Sequence, residues 1–327
     1  MLFKYEPLEY LLADRRPAWV KYQTYVRILG KPQDDPDLVR WKEERDASAV
    51  VREIRERQND DGSFACMPWI HVHRYYFHQM LEMGYGLEDP TVRKSADNLL
   101  NYQLPGGGYR HPHAKMIDPS TSPDRWTPCV TGYVTKALMD LGLTNHPSVR
   151  RALRVMHEGQ KDSGGWICDH VGKRAPYCIW SGTPWVFACL AHAGLINKTH
   201  ALTKRAVALF SRHKDKIIRH GYHCDHYYRC DETLLIPALR AVGLTPRHAL
   251  LADLCESLLE KQQPDGSWRF GGRPRPDSQR LDSASEVTPS HTLPPRRQHF
   301  VRLYSAREVT AWYTIEAVAA LMSVGRV

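Results

Sequence analysis

The residues of this sequence with the most chemical potential are its eight cysteines and seventeen histidines, many of which recur in groups. Cys66 stands near His71 and His73; His111 and His113 precede Cys129; Cys168 and His170 precede Cys178; His223, Cys224 and His226 precede Cys230. Thiolate and imidazole are zinc ligands, and three protein ligands leave a coordination position open for catalysis. Cys168, His170 and Cys178 could supply such a set, though their spacing matches no zinc finger. A metal-free alternative uses a cysteine pair as acid, base or nucleophile, because a helix N-terminus favours the thiolate. A third reading is structural, since cysteine is a small, soft side chain suited to a tightly packed helix start. All three stay open here, so the cofactor expectation is zinc or none.

Each group falls at the same place in a repeating unit, after a glycine turn and around the start of an apolar helix. Related copies lie at 57–69, 101–113, 159–195, 219–230 and 261–272. With Gly62, Gly107, Gly165, Gly221 and Gly266 as markers, the separations are 45, 58, 56 and 45 residues. Periods of that length mark one supersecondary unit per copy.

Charged and apolar helical patterns alternate between the turns. Helices are predicted near 89–103, 126–142, 146–160, 178–193, 199–212, 230–242 and 246–262, and 35–58 reads as one amphipathic helix. Asp89-Pro90, His146-Pro147 and Thr245-Pro246 mark first turns, while Gly84, Gly142, Gly194 and Gly243 mark C-terminal stops. Two short helices within 5–30 bring the number to about twelve, in six hairpins. Charged members belong outside and apolar members inside. An alternation that closes on itself is an all-α, α/α toroid, with a cavity at the N-terminal ends of the inner helices. One domain over 1–327 is expected, with a Pro/Arg-rich loop at 271–303 read as a lid or an insert.

With 42% hydrophobic residues, 25% charged residues and nine Trp, the chain can bury a substantial core. No apolar run reaches the roughly 18 to 20 residues a membrane span needs, and the first residues do not read as a signal peptide, so the expected compartment is cytoplasmic. Eight cysteines are too few for a disulfide scaffold. A formal charge of +9 points toward anionic partners such as phosphates, nucleic acid or an acidic membrane surface. No nucleic-acid motif is present, so DNA is not an expected partner.

Gln58-Asn-Asp-Asp-Gly-Ser-Phe64 and Gln262-Gln-Pro-Asp-Gly-Ser-Trp268, with Gln160-Lys-Asp-Ser-Gly-Gly-Trp166, resemble the Gln/Trp repeat of the squalene-hopene cyclase and protein prenyltransferase superfamily. The resemblance implies the toroid, and the cysteine placement looks like that of single-domain bacterial members. It also implies a hydrophobic, isoprenoid-like small molecule in the central cavity, acted on by cyclisation, isomerisation, hydration or dehydration, or prenyl transfer. The Asp-x-Asp-Asp motif of cyclases that protonate an alkene is absent; Asp34-Asp35-Pro36-Asp37 and Asp60-Asp61 are the nearest. The candidate catalytic residues are Cys168, Cys178, His113, Cys129 and Asp231, with Cys168, His170 and Cys178 as possible metal ligands. Trp126, Trp166, Trp180, Tyr228 and Trp312 are candidate cavity-lining rings. The alternatives are a zinc-dependent prenyltransferase-like enzyme and a non-catalytic peptide- or RNA-binding toroid.

Overall fold

The computed structural model describes residues 3–64, 70–110, 126–167, 182–220, 232–268 and 306–325, without the side chains of 70–75, 219–220 and 306–309. The predicted lid segment at 271–303 and the copy around Gly221 lie outside the described residues.

The chain alternates between an outer and an inner layer of helices. The inner members are α2 (Ala18–Arg27), α5 (Ile70–Glu82), α7 (Pro128–Asp140), α9 (Gly182–His192), α12 (Glu232–Ala241) and α14 (Ala306–Met322). The outer members are α1 (Pro7–Leu12), α3 (Pro36–Asp46) with α4 (Ala49–Glu56), α6 (Pro90–Asn101), α8 (Pro147–Glu158), α10 (Ala201–Arg212) with α11 (Lys214–His220), and α13 (Ala249–Glu260). Layer follows composition. In α8, Val149, Ala152, Leu153 and Met156 are buried while Arg150, Arg151 and Arg154 face solvent, the one-sided pattern of a surface helix. In α9 every residue from Gly182 to Ala191 is buried, as an enclosed helix requires.

Inner helices pack side by side as α2, α14, α12, α9, α7 and α5, and Gln23 of α2 closes the circuit by donating to the Glu82 carbonyl at the end of α5. This is a closed α/α toroid. No helix among the described residues is long and apolar enough to cross a membrane.

The outer layer is joined by one repeated device. In four copies a glutamine stands two residues past the outer helix, and its carboxamide NH2 donates both to the carbonyl of the turn glycine four residues on and to a carbonyl in the next outer unit. The pairs are Gly62 and Thr91 for Gln58, Gly107 and Ser148 for Gln103, Gly164 and Leu202 for Gln160, and Gly266 and Tyr5 for Gln262. The turn glycine has φ between 82 and 100° in all four. A Cβ there would sit 2.2 Å from the Lys94 carbonyl oxygen, 2.9 Å from that of Arg151, 2.4 Å from that of Arg205 and 2.3 Å from that of Glu6. Glycine is required both for the left-handed backbone and for the close approach of the neighbouring helix. The ring aromatic two residues later, Phe64, Tyr109, Trp166 or Trp268, is at most 1% exposed and fills the gap between hairpins.

Three sequence expectations need correction. The turn glycine of the third copy is Gly164, not Gly165: its NH bonds the Lys161 carbonyl at 2.8 Å, as Gly62 bonds Asn59 and Gly107 bonds Leu104. The stretch 35–58 is two helices, because the chain breaks at Ala47 and Ser48 caps α4 by accepting from the Val51 NH. Thr245-Pro246 lies in a turn closed by His248 NH on the Thr245 carbonyl, so α13 starts later, at Ala249. The other predicted helices hold to within a few residues wherever they are described.

The glycine constraint is separable from simple turn chemistry. Gly164→Ala should destabilise the protein by more than about 2 kcal/mol, from positive φ plus a clash with the Arg205 carbonyl. Gly194→Ala, also at positive φ (68°) but with nothing within 4 Å, should cost only about 1 kcal/mol. Chemical denaturation of both variants checks this; equal losses would mean that backbone approach contributes nothing.

Candidate functional site

Three of the inner helices are pinned to the turn that precedes them. Tyr109 NH donates to Thr131 Oγ1 of α7 at 2.9 Å, Trp166 NH to Thr183 Oγ1 of α9 at 3.1 Å, and Trp268 NH to Thr314 Oγ1 of α14 at 3.0 Å. Indole NH groups are satisfied too, Trp166 on the Met156 carbonyl at 2.7 Å and Trp268 on the Leu258 carbonyl at 2.6 Å. The chain therefore leaves each of these turns from a fixed point, and Cys168 follows the anchored Trp166 by two residues.

Cys168, His170, Cys178, Trp180, His113, Tyr228 and Asp231 lie outside the described residues. Of the rest, Cys129 occupies the first turn of α7 and is buried. Trp126 packs in the hairpin gap: a Cβ on Gly108 would meet its Cβ at 2.2 Å, and one on Gly159 would meet its Cζ2 at 2.7 Å. Trp126 and Trp166 thus both meet the last turn of α8. Trp312 is buried on α14. Among the described residues no group of three His, Cys, Asp or Glu could hold a metal ion.

Sequence reasoning missed Glu232, whose carboxylate opens α12 beside Asp231 and is fully buried. It accepts from Ser257 Oγ at 2.8 Å and pairs with Lys261 Nζ, which also donates to the Ile218 carbonyl at 2.9 Å. A buried carboxylate persists only when paired and hydrogen-bonded. An acid in the first turn of an otherwise apolar helix, Glu232-Thr-Leu-Leu-Ile-Pro237, was the available signal.

Deeper along the inner helices the side chains form two tiers. His78 stacks on Tyr133 with ring centroids 3.9 Å apart, and Tyr133 meets Trp185 edge-on at 5.3 Å, so one aromatic run crosses α5, α7 and α9. Gly132 allows this closeness: a Cβ there would lie 2.8 Å from Trp185 Cβ. Residues three or four apart share a helix face. One turn beyond the aromatic tier come Glu82 after His78, Lys136 after Tyr133, Cys189 after Trp185 and Glu316 after Trp312. These belong to a charged tier at the C-terminal end of the ring. Arg27 of α2 pairs with Glu316 of α14, which holds the guanidinium in its charged form, and the fields of Asp140 and Glu82 add to that. Lys136 pairs with Asp140. Burial pushes the Cys189 thiol up to about 12, and its sulfur bonds the Gly132 carbonyl at 3.0 Å, so this cysteine packs and does not ionise.

No protein-family model matches the chain, and no curated protein matches it in sequence. Solved structures similar to it include the type II terpene cyclase MstE from Scytonema without ligand, 14% identical over 94% of this chain and 88% of that chain, TM-score 0.46. A variant of that enzyme in complex with geranylgeranyl dihydroxybenzoate, its substrate, is 14% identical over 94% and 87%, TM-score 0.45. A protein from Actinoplanes is 18% identical over 94% and 90%, TM-score 0.46. The likeness is one of helical architecture alone and says nothing of this chain's chemistry.

The charged tier makes a pH dependence testable at His192 of α9. His192 ends α9 on the exposed side, so it is only partly desolvated. That desolvation, then the Lys136 ammonium, lowers its imidazole toward about 4, against a smaller opposing pull from Asp140. Solvent screening makes the effect on stability a modest one. Between the ordinary imidazole range and about 4 the unfolded chain takes up a proton that the folded chain refuses. Stability should therefore fall as the pH drops through that window. His192→Gln should flatten the fall; thermal melts of both proteins from neutral pH downward check it, and parallel curves would sink the assignment.

Proposed function

We propose that the toroid holds a hydrophobic, isoprenoid-like small molecule within its inner ring and transforms it at the N-terminal rim. The observation that carries this reading is the aromatic run His78, Tyr133 and Trp185 over a charged tier. Aromatic faces suit apolar chains and, through their quadrupoles, carbocations. The charged tier is hostile to an apolar chain, so the molecule enters with its reactive end toward the rim.

At the rim the proposed chemistry belongs to Cys168, Cys178, His113 and Asp231, with Cys129 and Glu232 beside them. A carboxyl in a largely apolar surrounding serves as general acid or base, and a thiolate at a helix N-terminus as base or nucleophile. Glu232, fixed by Lys261 and Ser257, is a positioning residue: it anchors the start of α12, the helix that Asp231 immediately precedes in sequence. Zinc on Cys168, His170 and Cys178 would polarise a bound oxygen if the leaving or entering group is a hydroxyl or phosphate.

Binding is tested with geranylgeraniol, followed by quenching of Trp fluorescence. Trp185→Ala should weaken it about tenfold or more while the helical circular dichroism is retained. Unchanged binding in the variant, or none in the parent, would defeat the proposal.

The cysteines are tested by metal analysis and alkylation. If zinc is bound, Cys168→Ser and Cys178→Ser should each lower metal content together with melting temperature. If the pair is a metal-free catalytic dyad, the same variants should melt like the parent, and the parent should react with iodoacetamide in a pH-dependent way that the bound alcohol blocks. Full function in both variants would leave the cysteines as packing groups.

A further inference from the structure

The outer wall is electrically lopsided. Counting from the N-cap residue, positions four and five of three successive outer helices are basic: Arg93 and Lys94 after Asp89, Arg150 and Arg151 after His146, Lys204 and Arg205 after His200. All six are exposed. Their equivalence is geometric as well as numerical, because the Lys94, Arg151 and Arg205 carbonyls are the ones that abut the turn glycines. Arg151 and Arg205 spend hydrogen bonds on Gln103 and Gln160. The side chains of Arg93, Arg150 and Lys204 have no hydrogen bond or ion pair with any described residue. The three helices together carry eight basic residues against Asp97 and Glu158, a formal +6. By contrast α13 carries Asp253, Glu256 and Glu260 and no basic residue.

We infer that the wall of α6, α8 and α10 docks this protein on an anionic lipid bilayer. The inference rests on the proposed apolar ligand, which would dissolve in that bilayer. The three basic pairs hold the same register on successive outer helices, so they form one band across adjacent hairpins. Lipid headgroups move laterally and can meet evenly spaced charges on a convex wall, each Lys or Arg strengthening adhesion about fivefold. Nucleic acid fits less well. Within their helical residues the three helices expose no Phe, Tyr or Trp, so Tyr102 at the end of α6 stands alone where a stacking platform needs successive rings. The acidic α13, which packs beside α10 and α11, bounds the basic band on that side.

The test is co-sedimentation of the full chain with vesicles of phosphatidylcholine alone or with about 30 mol% phosphatidylserine. The protein should sediment only with the anionic vesicles and be released at about 0.5 M salt, where screening shortens to a few ångströms. The triple variant Arg93→Glu, Arg150→Glu, Lys204→Glu should lose at least about a hundredfold in vesicle affinity. The triple Gln variant serves if the Glu variant melts early. Equal retention on neutral vesicles, undiminished binding by the Gln variant, or displacement from vesicles by stoichiometric single-stranded RNA would overturn the inference. Geranylgeraniol binding in detergent solution without vesicles should be the same in parent and variant. Its absence in a parent that still binds vesicles would sink the functional proposal and, with it, the lipid-supply rationale, while the docking surface would stand.

Discussion

One carboxamide per repeat holds the outer layer together. A helix end leaves carbonyls without partners, and a free turn leaves more. The glutamine two residues past α4, α6, α8 and α13 serves two acceptors with a single NH2 group: one hydrogen goes to the glycine carbonyl of its own turn and the other to a carbonyl at the start of the next outer unit. In the second and third copies the carboxamide oxygen is used as well, accepting from Arg151 at 2.8 Å and Arg205 at 3.0 Å. A buried donor left unmade costs more than a made bond contributes, so the forward bond fixes how far apart successive hairpins can sit. Glycine at positive φ then lets the next helix come to contact distance, and the aromatic ring fills what remains.

From that spacing follows the inner ring. Because the aromatic NH of three of the turns bonds a threonine of the next inner helix, outer geometry passes directly to inner register. Register decides which side chains share a tier. His78, Tyr133 and Trp185 come from segments more than 100 residues apart in sequence at their extremes, yet their rings touch in series. One turn on, Arg27 and Glu316 join the first and last inner helices by charge, where Gln23 and Glu82 join the first and the second by a backbone bond.

Much of this was legible beforehand. Gln, Gly and an aromatic at constant offsets stand in the sequence because each has a local backbone duty, and local duties leave local signatures. The alternation of charged and apolar helices was readable for the same reason. The tiers were not: His78, Tyr133, Lys136 and Glu316 carry no motif, and they become a set only once the ring brings five helices together. Glu232 was missed because an acid at a helix start ordinarily caps, whereas here it is buried against Ser257 and Lys261 of the next helix. Trp126 and Trp166, expected on the cavity, are engaged by the hairpins themselves, Trp126 against two glycines and Trp166 through its indole NH. The break in 35–58 escaped notice since Ala47 and Ser48 preserve the apolar period while Ser48 supplies a cap.

The last of the four glutamines is different in what it reaches. Gln262 donates to the Tyr5 carbonyl and accepts from the Lys4 and Tyr5 NH groups, while Gly266 abuts the Glu6 carbonyl and Phe3 packs edge-on against Trp268 at 6.0 Å. The seam of the ring is therefore made from the same parts as its interior joints, across a separation of 257 residues. The seam repeats the NH2 fork and the glycine approach of the joints at Gln103 and Gln160, and differs in that its carboxamide oxygen accepts from backbone NH groups instead of an arginine. Joints built alike do not dictate which hairpin comes first in the chain, and a circular permutant opened at the joint of Gln103 or Gln160 would face the same contacts. The cost of the present order is kinetic: the seam is the longest loop closure in the molecule, and it cannot form until the final repeat has been synthesised.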